Sequence, residues 1–242
     1  MKGRNTHEQS IAALAAAAHE LKSPLTLVHH IAQTLASTDL ALSEAERAQY
    51  LHRLQFTSER MLRLVQQLAV SYRLDRDNQL AFQFQVEPLN VMEVCEEVAH
   101  ELWTYAKECS QELRVKTHNC PHLVVANREI LHDIVVNLVD NAIRHNQAGG
   151  KVDIAAVCRS DQVRLTVDDQ GAGMAQRDIR RLRSTLGTQP QPFTGHAGTS
   201  GLGLYIVGQF AAAMGGSVGL GRPRSGTRFF VDLLRSRQLS LL

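Results

Sequence analysis

The sequence predicts an α+β protein, an N-terminal helical hairpin followed by a two-layer α/β sandwich. Small or apolar residues run through Ile11, Leu14, Ala18, Leu21, Leu25, Val28, Ala32 and Leu35 with spacings that alternate three and four. A second seam follows at Leu51, Leu54, Ser58, Met61, Val65, Leu68 and Tyr72, and no glycine falls between Gly3 and Gly149. Beyond Asp75-Arg76-Asp77-Asn78 the pattern changes to short alternating stretches interleaved with helical ones, as strands and helices sharing two layers require. The predicted domains are 1–77 and 78–242.

The first helix is predicted to end at the polar break Ser37-Thr38-Asp39. Ser43, with Glu46 three residues on, carries the capping-box signature of a second helix. One hairpin cannot bury two full seams, so a homodimeric four-helix bundle is the natural completion. The alternative is that the seams pack on the rest of the same chain. His19 lies one place off the seam, with Ser23, Thr26 and His30 on the same outward line. Pro24 lacks an N–H and is predicted to kink or loosen the helix one turn beyond His19.

In the second domain Phe82, Phe84 and Val86 alternate with Gln83 and Gln85, the pattern of a strand. A helix over 89–108, strands over 113–117 and 122–126, and a helix over 128–145 follow. Residues 151–158 and 162–167 read as a hairpin around Arg159-Ser160-Asp161. A helix opening at Gly201 and strands over 217–221 and 227–234 close the domain.

Hydrophobic content of 44% with 21% charged residues is ordinary globular composition. A formal charge of +2 is too small to draw nucleic acid or a membrane surface, and no nucleic-acid partner is expected. No stretch approaches the ~20 apolar residues of a membrane span. Cys95, Cys109, Cys120 and Cys158 show no C-x-x-C spacing and read as reduced thiols. His118, Cys120 and His122 alternate around Pro121 as metal ligands can, but no second ligand cluster accompanies them.

Four clusters carry chemistry. His19-Glu20-Leu21-Lys22-Ser23-Pro24-Leu25 puts an imidazole beside a carboxylate, a nucleophile with its own base. Asn137 and Asn141 share a helix face with Asp133 a turn before them, and amides there need partners such as a metal ion, its water or phosphate oxygens. Asp168-Asp169-Gln170-Gly171-Ala172-Gly173 ends an apolar strand with a carboxylate able to accept from an exocyclic amino group. Gly198-Thr199-Ser200-Gly201-Leu202-Gly203-Leu204 opens a helix whose N–H groups and dipole favour an anion.

In this order the clusters resemble the H, N, G1 and G2 boxes of the sensor histidine kinase family, over roughly residues 7–236. The resemblance implies a dimerising phosphoacceptor hairpin followed by a Bergerat-type ATP-binding sandwich. Carried over by position, His19 is the phosphoacceptor, and Glu20 orients its ring and takes its proton as the ring attacks the γ-phosphate of ATP. Asn137 resembles the Mg²⁺ ligand and Asn141 a phosphate contact. Arg144 stands where a phosphate-reaching base is usual, and His145 at a ring position. Asp169 resembles the adenine-amino acceptor, with Gly171 and Gly173 admitting the base. Gly201 and Gly203 resemble the phosphate-cradling glycines, with Ser200 and Leu202 in the same nucleotide-binding turn. The partner implied is the receiver domain of a response regulator. The location implied is the cytoplasm, either for the whole protein or for the cytosolic part of a longer membrane-bound kinase.

Three departures stand out. Thr199 replaces the first G2 glycine. Between Met174 and Gly198 the aromatic F box is missing; glycines and prolines predict a mobile lid, and Arg180, Arg181 and Arg183 read as a solvated basic helix face. Ser23 stands where kinases that also dephosphorylate their receiver usually carry Thr or Asn. Two alternatives follow: a degenerate kinase acting as a receiver-binding dimeric module, and an ATP hydrolase of the chaperone-like branch with Asp133 as its water-activating acid.

Overall fold

A computed structural model describes residues 2–37, 41–76, 85–116, 123–190, 201–221 and 225–236. The hairpin consists of α1 (Lys2–Ala36) and α2 (Glu44–Arg76). The predicted capping box opens α2: Glu46 N–H donates to Ser43 Oγ at 3.3 Å, and Ser43 N–H returns a bond to Glu46 Oε2 at 2.9 Å. Pro24 lies inside α1, which runs on as one helix, so the proline removes the donor for the Glu20 carbonyl without ending the helix.

The heptad seams split into two lines. Leu21, Val28 and Leu35 are half-buried. Leu14 and Leu25 on α1 are 60% and 57% exposed, and Leu51, Val65 and Tyr72 on α2 are 51%, 49% and 45% exposed. What docks on the rest of the chain is mainly a different stripe, joined from the α2 seam by Leu68. Ala13, Ala17 and Leu74 join the core cluster of the second domain, where both helices meet α6 (Leu202–Ala213).

The second domain runs β1 (Glu87–Asn90), α3 (Val91–Glu108), β2 (Glu112–Lys116), β3 (Leu123–Ala126), α4 (Arg128–His145), β4 (Lys151–Cys158), β5 (Gln162–Asp168), α5 (Gln176–Thr185), α6, β6 (Ser217–Gly221) and β7 (Arg228–Leu234). The main sheet has the order β2-β4-β5-β7-β6, parallel between β2 and β4 and antiparallel elsewhere. A parallel pair needs a crossover, and the connection from β2 to β4 passes through α4, laying that helix on the sheet. Alternation decides the layers. Val152, Ile154, Val163, Leu165, Val231 and Leu233 are fully buried on one face. The other face is laced by the pairs Arg114–Asp153, Arg164–Asp232 and Arg228–Asp168.

Two sequence expectations need correction. The first strand is β1 at Glu87–Asn90, paired with β3 as a separate two-stranded sheet. Val86 precedes it and is exposed, while Phe82 and Phe84 lie outside the described residues. The helix read at the α5 arginines is present, held by buried Leu182 and Asp178, and most of the glycine- and proline-rich lid stretch beyond it lies outside the described residues. Cys95 and Cys109 are free, but Cys158 is disulfide-bonded, because spacing along the chain does not report what a fold brings together. His118, Cys120 and His122 lie outside the described residues.

Candidate nucleotide and phosphoacceptor site

Helix α4 is the spine of the site. Asn127 caps it by accepting from the Ile130 N–H at 3.0 Å, and its apolar face, including Ile134, Leu138 and Val139, is fully buried. That burial turns Asn137, Asp140, Asn141 and Arg144 toward a cleft of about 510 Å³ between the two domains. Glu20 and Ser23 of α1 and Arg60 and Gln67 of α2 line the facing wall, and Gly201 and Gly203 line one end. His19 is exposed on α1 beside Glu20 and is not among the lining residues.

Asn137 is tightly held. Its Nδ2 donates to the Asp133 carbonyl at 2.8 Å and to Gln67 Oε1 at 3.1 Å, while a Cβ added to Gly203 would lie 3.3 Å from its Oδ1. Burial pushes the Asp133 carboxyl above its ordinary range. Asn141 is buried in the same wall. Asp140 binds two guanidiniums at once: Arg60 Nη2 from the hairpin at 2.8 Å and Arg144 Nε from its own helix at 3.2 Å. Asp140 therefore holds the Arg60 guanidinium above its usual pKa, and Glu20 adds to that field. One turn along α2, Arg63 pairs with Glu101 of α3, which also binds His132 at 3.1 Å. The His132 contact, with help from Arg63 and against burial, brings the Glu101 carboxyl down to about 2. Phe56 of α2 meets Tyr105 of α3 at a ring distance of 4.9 Å, and burial pushes that phenol up to about 12.

A second, separate notch surrounds Asp169. The residue is 4% exposed, and its Oδ1 accepts from the N–H groups of Gly171 at 2.8 Å and Thr227 at 3.1 Å. Burial pushes its carboxyl up while those bonds pull against the shift. Backbone closes in on all sides: a Cβ on Gly171 would sit 2.2 Å from the His145 carbonyl, and one on Gly226 would sit 2.0 Å from the Asp169 carbonyl. Gly173 has φ +71°, which an L side chain resists. His145 thus meets the notch through its carbonyl.

Between notch and cleft, α6 begins at Gly201, whose φ of 71° is left-handed. The Leu202 side chain is fully buried. Ser200 and Thr199 lie outside the described residues. The α5 arginines do not form a group: Arg183 reaches toward the Leu220 carbonyl at 3.4 Å, Arg181 lies 3.8 Å from Asp178, and Arg180 is exposed. Sequence reasoning passed over Arg60, Arg63, Gln67, Glu101 and Asp140. The available signal was the 3-4 spacing of Arg60, Arg63 and Gln67 beside the α2 seam.

Two family models match. Residues 126–237 match the histidine kinase-, DNA gyrase B- and HSP90-like ATPase, and residues 11–76 match the His Kinase A (phospho-acceptor) domain. The chain belongs to the histidine kinases. Among curated relatives, this kinase core is 32% identical over 210 residues to sensor protein kinase PmrB of Pseudomonas aeruginosa, spanning 87% of the chain and 42% of PmrB. It is 31% identical over 215 residues to sensor protein QseC of Salmonella typhi, spanning 87% and 44%. The chain therefore covers less than half of these two relatives. In fold, it resembles histidine kinase AdeS of Acinetobacter baumannii with a TM-score of 0.60 at 23% identity, covering 90% of this chain and 98% of that one. The cytoplasmic segment of histidine kinase QseC has a TM-score of 0.50 at 22% identity, covering 74% and 95%. No helix among the described residues is long and apolar enough to cross a membrane.

Proposed function

We propose that the chain is the core of a two-component sensor kinase that phosphorylates His19 from Mg-ATP and passes the group to an aspartate of a response-regulator receiver domain. The observation that carries this is the cleft itself, where Glu20 and Ser23 of the hairpin face Asn137, Asn141, Arg144, Gly201 and Gly203 across one space. The proposed adenine site is the Asp169 notch, whose carboxylate would accept from the exocyclic amino group. Asn141 and Arg144 would meet phosphate oxygens, and the Gly201–Gly203 turn would receive the phosphate chain at the start of α6.

A magnesium ion fits the residues present. The Gly203 backbone leaves open the space its Cβ would fill beside Asn137 Oδ1, and one hard amide oxygen suits a cation that keeps waters and phosphate oxygens as its other ligands. When bound, that ion supplies charge neutralisation on the phosphates. Glu20 would hold the His19 ring and take its proton as the ring nitrogen bonds to the γ-phosphorus and the bond to the ADP oxygen breaks. Ser23, on the cleft wall, would orient a water for dephosphorylating the receiver.

The outward apolar line of Leu14, Leu25, Leu51, Val65 and Tyr72 supports a homodimeric four-helix bundle. The proposed division into a phosphotransfer domain over 1–77 and an ATP-binding domain over 78–242 follows the change in architecture. Residence in the cytoplasm, alone or as part of a membrane-bound kinase, completes the reading. Incubation with γ-labelled ATP tests it: acid-labile label is expected on the native chain and absent from His19→Ala. Label that persists in that variant overturns the assignment.

A further inference from the structure

Both hydrogens of the Asn137 amide are committed. One goes to the Asp133 carbonyl within α4 at 2.8 Å, and the other crosses the domain gap to Gln67 Oε1 at 3.1 Å. A backbone carbonyl can only accept, so the Asp133 contact identifies the NH₂ end of the side chain. The oxygen is thereby turned toward Gly203 and the proposed phosphate site. With the Asp133 bond alone, the amide would still swing, because the terminal torsion of asparagine is broad. Gln67 removes that freedom.

Packing does not account for Gln67. It is 3% exposed on α2, and its Nε2 makes no close hydrogen bond, only a weaker contact that lowers the Asp133 carboxyl against the effect of burial. An amide buried half-satisfied destabilises its surroundings, and leucine would fill the same line at lower cost. The retained group is the oxygen, and it faces Asn137. The hairpin is pinned in this register by Arg60 on Asp140 and Arg63 on Glu101, in line with Gln67 at helical spacing.

Resting on the reading of Asn137 as the magnesium ligand, we propose that Gln67 is a positioning residue that orients Asn137 for the metal, so that magnesium-nucleotide binding tightens when the hairpin docks. The coupling is reciprocal: magnesium-nucleotide favours the docked hairpin by the same factor that docking favours its binding. The phosphoacceptor helix pair thus helps assemble the site that phosphorylates it.

The test is equilibrium binding of a fluorescent ATP analogue to the full chain, with magnesium and with EDTA. Gln67→Leu keeps the packing and removes the acceptor, and should weaken binding in magnesium roughly tenfold, as loss of a group supporting a metal ligand does. In EDTA it should match the native chain. Gln67→Glu keeps an acceptor and should restore most of the magnesium-dependent affinity. The side-chain amide NMR signal of Asn137 in metal-free protein should shift in Gln67→Leu and return toward its native position in Gln67→Glu. Unchanged magnesium binding in Gln67→Leu overturns the proposal, as does an equal loss in EDTA, which would mark a merely structural role. Asn137→Ala separates the two readings. If it keeps full magnesium dependence, the metal-ligand assignment itself fails; if it loses that dependence while Gln67→Leu does not, only the role of Gln67 fails.

Discussion

At one end of the site Asp169 is gripped by backbone, the N–H groups of Gly171 and Thr227, all within the second domain. At the other end Asn137 is gripped by Gln67, and Arg144 shares Asp140 with Arg60, so side chains of two domains meet. The proposed adenine notch is therefore set when the sandwich folds. The phosphate side is set only when the hairpin lies on α4, through contacts that respond to charge and solvent. The proposed site thus has one half held by the backbone of a single domain and one half held by side chains of two, a contrast that suits the proposed phosphoryl transfer between domains.

The largest effect expected from challenging this contrast is at Gly226. A Cβ there would meet the Asp169 carbonyl at 2.0 Å on a backbone with φ +71°. Gly226→Ala should abolish nucleotide binding and cost roughly 3 kcal/mol in urea unfolding, the scale for strain at a special backbone position. Native affinity in this variant would show that the notch is not rigid. Next is Asp169→Asn, which keeps the shape and removes the charge. Nucleotide binding should weaken by roughly 10- to 100-fold, the range for hydrogen bonds to a charged group. An unchanged dissociation constant by calorimetry would remove Asp169 from the adenine site.

On the composite side effects should be smaller and fall on turnover and on binding in magnesium. Asp140→Ala leaves Arg60 and Arg144 without their common carboxylate. Autophosphorylation should slow by about tenfold, the size of one broken member in a charged network, and affinity for magnesium-nucleotide should fall by a smaller factor as the hairpin loosens. An equal loss of affinity in magnesium and in EDTA would place Asp140 with the notch instead.

The smallest effect belongs to the Glu101 latch. Its carboxyl is lowered from an ordinary 4.5 to about 2, so its stabilising contribution is complete above 4.5 and disappears as pH falls from 4.5 toward 2. Fluorescence transfer between labels on α2 and α3 should report undocking across that window. Glu101→Gln at neutral pH should weaken docking by only about twofold to fivefold, because the pair is partly exposed. A transition in the same window in Glu101→Gln would assign the titration to another group.

Much of the architecture was legible because local signals agreed with the tertiary outcome. The predicted bounds of α4 match at both ends, with Asn127 as cap at one and Arg144 and His145 in the last turn at the other. β4 and β6 fall where alternation placed them. β1 did not, because Glu87–Asn90 carries a proline and no alternating pattern, and it is a strand only through its pairing with β3. In the proposed site, candidate clusters were legible wherever a motif sits on contiguous chain. Arg60, Gln67 and Glu101 were not, since each looks like an ordinary polar residue on a helix surface.

By itself, the sequence determined most of the elements, β1 excepted, and pointed to the groups proposed to bear chemistry: the His19-Glu20 pair, the α4 amides, the Asp169 notch and the Gly201 turn. Propensity, periodicity and motif spacing are local, and they are written in neighbouring residues. Tertiary structure decided which side of the hairpin meets α4 and α6, that Gln67 closes on Asn137, and that Asp140 serves two arginines from two domains. Those outcomes depend on the relative placement of buried surfaces far apart in the chain, and no short window of sequence contains them.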